Sequence, residues 1–378
     1  MNIFDRLNPV ETPLVILAEG ALSRHRQDNA KTAIGIIRYG AWPIVAVIDS
    51  THAGQTVRQV TGLPCDAPIV ASLEEVLSTG DKTFYEKPKA LLIGIAPQGG
   101  QLPESWRPVL ATAIDQGLHV INGLHYFLKE DDLLARQALE NGVMLWDVRD
   151  PGQYDIEPLN PVATFKPHPD GVKVITTVGS DCSVGKMFTT LELSREAARQ
   201  GWRSHFMATG QTGILVAGSG IPLDRVIGDF MAGYVESHLF EIFTKHQPSW
   251  VFVEGQGTLT HPSYSGVTLS LLHGSRPDGL ILCHRAELDE LVGGYGVKIP
   301  PLPELIDIYE AATSWTGVPV KVLGISLNTS AFSEEESLNM IQKTAEQTGL
   351  PVVDPVRTGV NKLLEVIQSL SPVPAAPY

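Results

Sequence analysis

Short β-branched and aliphatic runs alternate with helix-length segments along nearly the whole chain, and this alternation narrows the possible folds most. Leu14–Ala18, Ile44–Asp49, Ala90–Ala96, His119–Ile121 and Met144–Val148 read as strands, with Ala30–Tyr39 and Arg107–Gln116 as crossover helices. The pattern restarts at Val172–Val178 and continues through Ser204–Ala208, Trp250–Glu254, Gly279–Cys283, Lys321–Ser326 and Val352–Val353. Helices are predicted at Lys186–Gln200, Asp229–His246, Leu302–Thr316, Glu334–Thr348 and Val360–Leu370. Strand–helix–strand alternation implies mainly parallel sheets covered by helices on both faces. The predicted class is α/β, with two doubly wound domains at residues 1–150 and 172–370. Between them, residues 151–171 gather Pro151, Pro158, Pro161, Pro167 and Pro169 without a periodic run, so they read as a linker. Ser371–Tyr378 reads as a frayed tail.

Composition agrees with two packed domains. Of 378 residues, 43% are hydrophobic and 19% charged, enough apolar surface for real cores and too much for a disordered chain. The 28 Lys and Arg against 42 Asp and Glu leave a net charge of −14. Such a chain repels nucleic-acid backbones and anionic lipid, so neither is expected as a partner, whereas a small anionic molecule can still be held by a local cluster of donors. The N-terminus lacks the basic-then-apolar pattern of a secretory signal, and no run of about 18 apolar residues exists to span a bilayer. Cys65, Cys182 and Cys283 are widely spaced, as expected in a reducing compartment. A soluble cytoplasmic protein, and a homo-oligomer, is expected.

The richest stretch for function is Gly179-Ser180-Asp181-Cys182-Ser183-Val184-Gly185-Lys186-Met187, which follows a strand and opens a helix. This order aims backbone N–H groups and the positive end of a helix dipole at one point, a seat for phosphate, with Lys186 adding a cation. The usual spacing places four residues between the glycines and a hydroxyl after the lysine. Here five intervene and Met187 takes the hydroxyl's place, so Mg²⁺ would have to use Thr189 or Thr190. The stretch is similar to the P-loop of dethiobiotin synthetase and its relatives, which also places five residues between the glycines. Trp250-Val-Phe-Val-Glu254-Gly255 looks like the strand of that superfamily whose carboxylate helps hold Mg²⁺. Asn328 ends a strand where those relatives read a purine base. The second domain is thus expected to be P-loop NTPase-like, with Gly179–Met187 and Asn328 as phosphate and cofactor binders and Thr189 and Glu254 as metal ligands if Mg²⁺ binds.

From about Leu14 to Val366 the chain resembles, more closely, a bacterial and archaeal family long known only as a domain of unknown function. The resemblance rests on Lys31-Thr-Ala, Arg38-Tyr39, Gly123-Leu-His125, Asp181-Cys-Ser-Val-Gly-Lys-Met187, Glu254-Gly-Gln-Gly257, His261-Pro262 and Leu350-Pro-Val-Val-Asp-Pro355. In that family Met187 is expected. Its members join a Rossmann-like domain to this P-loop domain, and the resemblance implies a D-glutamate N-acetyltransferase using acetyl-CoA. It also implies a functional partner, a racemase of the enolase superfamily that receives the N-acetyl product. An ATP- and Mg²⁺-dependent ligase or kinase acting on a small carboxylate is the alternative, and a nucleotide-binding regulator a third.

In the first domain no Gly-x-Gly-x-x-Gly follows Leu14–Ala18, so a dinucleotide fingerprint is missing. The domain is as readily a scaffold as a ligand site. Lys31 and Arg38 lie two helical turns apart on one face and could hold a carboxylate, although a solvated face is commoner. Acetyl transfer to an amine calls for a base and for donors to the developing oxyanion. His261 is the first candidate base, ahead of His284 and His125, with Glu254 as base or metal ligand. Cys182 could form an acetyl intermediate, but packing is its commoner role. Gln211 and Thr212 follow a strand end, where ligands of open α/β sheets sit, and Arg285 offers a cation for a substrate carboxylate.

Overall fold

A computed structural model of the protein describes residues 4, 7–22, 30–78, 86–97, 99–154, 160–314, 317 and 319–370. The strands are β1 (Leu14–Leu17), β2 (Ile44–Ile48), β3 (Ile69–Val70), β4 (Ala90–Ile93), β5 (His119–Asn122), β6 (Leu145–Asp147), β7 (Lys173–Gly179), β8 (Ser204–Met207), β9 (Trp250–Val253), β10 (Gly279–Arg285), β11 (Val322–Asn328) and β12 (Val352–Val353). The helices are α1 (Lys31–Tyr39), α2 (Val57–Thr61), α3 (Leu73–Ser78), α4 (Arg107–Asp115), α5 (Asp132–Asn141), α6 (Lys186–Arg199), α7 (Gln211–Ala217), α8 (Met231–His246), α9 (Ser265–Ser275), α10 (Leu302–Ser314), α11 (Glu334–Thr348) and α12 (Asn361–Gln368).

The chain forms two compact units, and the division is interleaved. The first unit holds Met1–Asp155 together with Gln211–Arg225; the second holds Ile156–Gly210 and Val226–Tyr378. A single boundary near a proline-rich stretch was expected, and the excursion of residues 211–225 into the first unit left no mark in the local sequence pattern. Part of the expected linker is ordered onto the second unit. The Glu236 carboxylate in α8 accepts the Thr164 and Lys166 N–H groups at 3.0 Å each. A Cβ at Gly233 would lie 1.8 Å from the Pro161 carbonyl oxygen, so only glycine permits that contact.

In the first unit six parallel strands run in the order β3-β2-β1-β4-β5-β6. Both central strands are buried along their whole length, as parallel strands covered on both faces must be. The strand order reverses between β1 and β4, and open sheets of this kind take ligands beyond the carboxyl ends of the strands at such a reversal. Here the protein's own residues occupy part of that rim. Thr212 in α7 shares a 3.0 Å hydrogen bond with Thr32 in the first turn of α1. A Cβ on Gly123, just past β5, would meet Gln211 Cγ at 3.1 Å. Asp224 is ion-paired with Arg149, just past β6, and Arg149 Nε donates to the Gly123 carbonyl at 2.7 Å. The Trp42 indole N–H donates to the Leu215 carbonyl at 2.9 Å. Asp49, at the end of β2, accepts the N–H groups of Gly20 and Leu22 at 3.1 and 3.2 Å. Its carboxylate is thereby committed to the loop after β1 instead of to a ribose.

The second sheet is also parallel throughout, in the order β12-β11-β10-β7-β9-β8. Side chains alternate along β10: Leu280 and Leu282 pack with Leu272, Leu305 and Tyr309 on one face, while Ile281 packs with Ile175, Leu193, Phe252 and Leu363 on the other. From β7 the chain moves out to β8, returns to β9, then crosses β7 to reach β10. The reversal therefore places the carboxyl ends of β7, β9 and β10 side by side.

The central strands and long helices lie where the apolar runs predict them, within two or three residues. The short elements β3, α2 and α3 and the helices α5, α7 and α9 were not predicted. Helix α9, with the sequence SGVTLSLLHGS, has too many small residues to show a clear apolar stripe. No helix among the described residues is long and apolar enough to cross a membrane. The predicted tail Ser371–Tyr378 lies outside the described residues.

Neither NAD nor NADP is expected to bind, because Asp49 and the rim near β5 and β6 are engaged within the protein. Titration calorimetry checks this, and a micromolar dissociation constant for either nucleotide would overturn it.

Candidate active site

The loop after β7 is shaped by backbone that side chains would obstruct. A Cβ on Gly179 would lie 2.8 Å from Val184 Cγ2 and 2.9 Å from Lys186 Nζ, so only glycine lets the loop fold back over the strand end. Ser183 and Gly185 adopt left-handed backbone, with φ of 55° and 105°. Gly185 caps α6 without a side-chain hydrogen bond, leaving the first N–H groups of the helix to face the loop. Lys186 is buried, and its ammonium donates to the Asp181 carbonyl at 2.7 Å. Its stem passes over Gly255, where a Cβ would lie 2.9 Å from Lys186 Cδ and 1.9 Å from the Thr177 carbonyl oxygen. Backbone donors, a helix N-terminus and one ammonium thus converge in a geometry suited to a phosphate.

Beside the loop stands a second cluster. A carboxylate oxygen of Asp181, Cys182 Sγ and a ring nitrogen of His261 lie within 4.8 Å of one another. Asp181 is buried, and its two oxygens accept the N–H groups of Cys182 at 2.6 Å and Val292 at 2.7 Å. His261 Nδ1 accepts the Ser263 N–H at 3.0 Å, which puts the ring proton on Nε2. Burial holds His261 below the ordinary histidine range, while the Asp181 carboxylate opposes that shift. The ring packs between Tyr264 and Tyr295, at centroid distances of 4.4 and 4.7 Å. Tyr309 ties the two parts together. Its buried hydroxyl donates to the Gly179 carbonyl at 2.7 Å, accepts the Leu259 N–H at 3.3 Å and meets Thr258 Oγ1 at 3.1 Å.

The other predicted residues of the second unit are engaged in hydrogen bonds or ion pairs of their own. Thr189 Oγ1 is bonded to Ser326 Oγ at 2.7 Å and accepts from Cys283 Sγ at 3.5 Å, and Thr190 Oγ1 donates to the Lys186 carbonyl at 2.7 Å. Both hydroxyls are buried in the interior, and Met187 is buried too. Glu254 Oε2 accepts the N–H groups of Thr209 and Gly210 at 3.0 and 3.3 Å, closing the end of β9 onto the end of β8. This donor set does not fit a Mg²⁺ ion at the loop. His284 is bonded through Nδ1 to Ser180 Oγ at 2.8 Å, and burial holds it down at about 4. Arg285, one residue on, is paired with Glu287 at 2.6 Å. Asn328 stands opposite Arg285 at the carboxyl end of β11, its Oδ1 accepting the Ser330 N–H at 3.0 Å. Gln211, Thr212, Lys31, Arg38 and His125 all belong to the first unit. There His125 is held at about 4 by burial, with Arg149 and Arg225 adding to the effect. Tyr309, Tyr295 and Val292 were missed because each comes from a segment remote in sequence, and Tyr264, three residues after His261, because it carries no motif.

Comparison with known proteins gives a consistent result. The family description "Domain of unknown function (DUF1611_C) P-loop domain" matches residues 162–364, and "Domain of unknown function (DUF1611_N) Rossmann-like domain" matches residues 50–151. A protein of Tritonibacter scottomollicae named D-glutamate N-acetyltransferase is 40% identical over 304 residues, covering 79% of this chain and 85% of that protein. One of the same name from a Pseudoalteromonas species is 37% identical over 293 residues, covering 78% and 83%. The crystal structure of a DUF1611 family protein from Anabaena variabilis superposes with a TM-score of 0.82 at 38% identity, over 95% of this chain and all of that one.

Three outcomes are expected from this geometry. Lys186→Ala should weaken binding of a phosphate-bearing probe such as pyrophosphate by roughly 10–100-fold, the loss of one charge-assisted contact, and equal affinity by calorimetry would remove the phosphate cradle. Tyr309→Phe should lower unfolding stability in urea by about 1–3 kcal/mol, since it strips the buried Gly179 carbonyl of its donor. The third concerns pH. Below about 6.5 the unfolded chain protonates the His284 ring, whereas the folded chain does so only near 4. Stability present at neutral pH is therefore lost as pH falls through that interval, and the loss should shrink in His284→Gln. An unchanged pH slope in that variant would count against the assignment.

Proposed function

The chain belongs to the DUF1611 family, and from that membership we propose that it transfers the acetyl group of acetyl-CoA to the amine of D-glutamate. The observation that carries this reading is the phosphate cradle at Gly179–Met187 placed beside a neutral, proton-bearing His261, in a chain 40% identical to a D-glutamate N-acetyltransferase. The cradle suits a phosphate of the thioester donor.

His261 was expected to act as a base, but its hydrogen bonding argues for another role. With Nδ1 occupied by the Ser263 N–H, the ring has no lone pair for a substrate proton, and it can donate from Nε2 to the oxyanion that develops on the thioester carbonyl. The acceptor must arrive as a neutral amine. In the net transfer the acetyl carbon passes from the CoA sulfur to the nitrogen, and the proton that nitrogen loses ends on the CoA thiol. The buried positions of Thr189 and Thr190 favour this metal-free transfer over phosphoryl transfer, which depends on well-placed Mg²⁺ ligands. In this reading the N-acetyl product passes to a racemase of the enolase superfamily.

Thiol release by the purified protein tests the proposal, with D-glutamate, L-glutamate or no acceptor, each with and without ATP and Mg²⁺. D-glutamate should release CoA without ATP, and the rate should keep rising above neutral pH as the amine deprotonates, with no inflection near 6.5 from His261. Strict dependence on ATP with formation of ADP would instead establish the ligase alternative.

A further inference from the structure

We propose that Cys182 carries the acetyl group between donor and acceptor, as a thioester on its Sγ. This rests on the acyl-transfer reading above and deepens it by naming the group that first receives the acetyl. Three observations single this thiol out among the three cysteines of the chain. Cys182 is half-buried and lies within the phosphate loop, between β7 and the N-terminus of α6. Its sulfur is within 4.8 Å of the His261 ring nitrogen and an Asp181 oxygen. Its backbone is fixed, since its own N–H is bound by Asp181 at 2.6 Å and that carboxylate is in turn held by the Val292 N–H. By contrast, Cys283 is fully buried against Thr189, and Cys65 lies in the first unit.

The same trio could be read as a metal site, but its hydrogen bonds argue otherwise. The His261 Nδ1 lone pair is taken by the Ser263 N–H and Nε2 bears the ring proton, so the imidazole offers no lone pair to a metal ion. Both Asp181 oxygens already accept backbone donors. A sulfur nucleophile at the positive end of a helix, beside the proton-bearing His261 ring, is the set that an acyl-thioester step uses.

The chemistry balances without a further reactant. Cys182 Sγ attacks the carbonyl carbon of acetyl-CoA, the carbon–sulfur bond to CoA breaks, and the thiol proton leaves on CoA. The neutral amine then attacks the acetyl-cysteine carbonyl, the bond to Sγ breaks, and the proton lost by nitrogen returns to Cys182. His261 Nε2 donates to the oxyanion of either step.

The test is intact-mass and peptide mass spectrometry of the full-length protein mixed with acetyl-CoA and no acceptor. One acetyl group should appear on the peptide containing Cys182 and disappear when D-glutamate is added, and initial-velocity lines should be parallel. Cys182→Ala and Cys182→Ser should acquire no adduct and lose turnover by about 100-fold or more. Turnover near the wild-type rate in Cys182→Ala would overturn the proposal, as would wild-type turnover with intersecting lines and no adduct. An adduct on Cys182 that D-glutamate fails to discharge would fault the choice of acceptor while supporting the acyl-enzyme.

Discussion

At Gly255 the end of β9 comes so close to β7 that a single added methyl group would sit 1.9 Å from the Thr177 carbonyl oxygen. The Lys186 stem lies across that glycine, so the same contact sets where the ammonium can reach. A bulkier residue would push β9 from β7, and with it Glu254, whose carboxylate closes the end of β8 through Thr209 and Gly210. The loop, its cation and the two strand ends beside it thus depend on one backbone approach. Close-packed interiors transmit such a displacement instead of absorbing it.

Hydrogen-bond satisfaction, more than residue type, assigns the roles around this loop. His261, Glu254 and Thr189 all belong to residue types that perform acid–base or metal chemistry. Yet Ser263 fixes the His261 tautomer, backbone N–H groups engage Glu254, and Ser326 and Cys283 engage Thr189. Each group that accepts a buried backbone donor cannot be withdrawn for catalysis without leaving that donor unsatisfied. Chemistry is left to the groups whose reactive atoms point past these bonds. The Asp181 carboxylate serves the same logic from the other side, holding the Cys182 and Val292 backbones.

How much of this was legible in the sequence depends on range. Gly179 to Met187 is contiguous, and its strand–loop–helix order makes the cradle a local property, readable without tertiary knowledge. The central strands were readable because burial on both faces forces uninterrupted apolar runs such as Leu14–Leu17 and Ala90–Ile93. Two-residue β3 and the small-residued α9 carry too few side chains to announce a period. Tyr309 reaches Gly179 from 130 positions away, and Val292 reaches Asp181 from 111, distances over which no spacing rule operates. The tautomer of His261 escaped for another reason: an imidazole two residues before a serine does not disclose which nitrogen that backbone will meet.

The interleaving of the two units has a consequence for synthesis. Ribosomes deliver the first 155 residues well before Gln211–Arg225, yet those later residues complete the first unit. Until they emerge, the Thr32 hydroxyl and the Trp42 indole await partners that lie on the far side of β8. Domains usually consolidate one after another from the N-terminus as they leave the ribosome. In this chain the earlier unit is complete only after the first segment of the later one has been made, with the rest of the later unit, from Val226 on, still to follow.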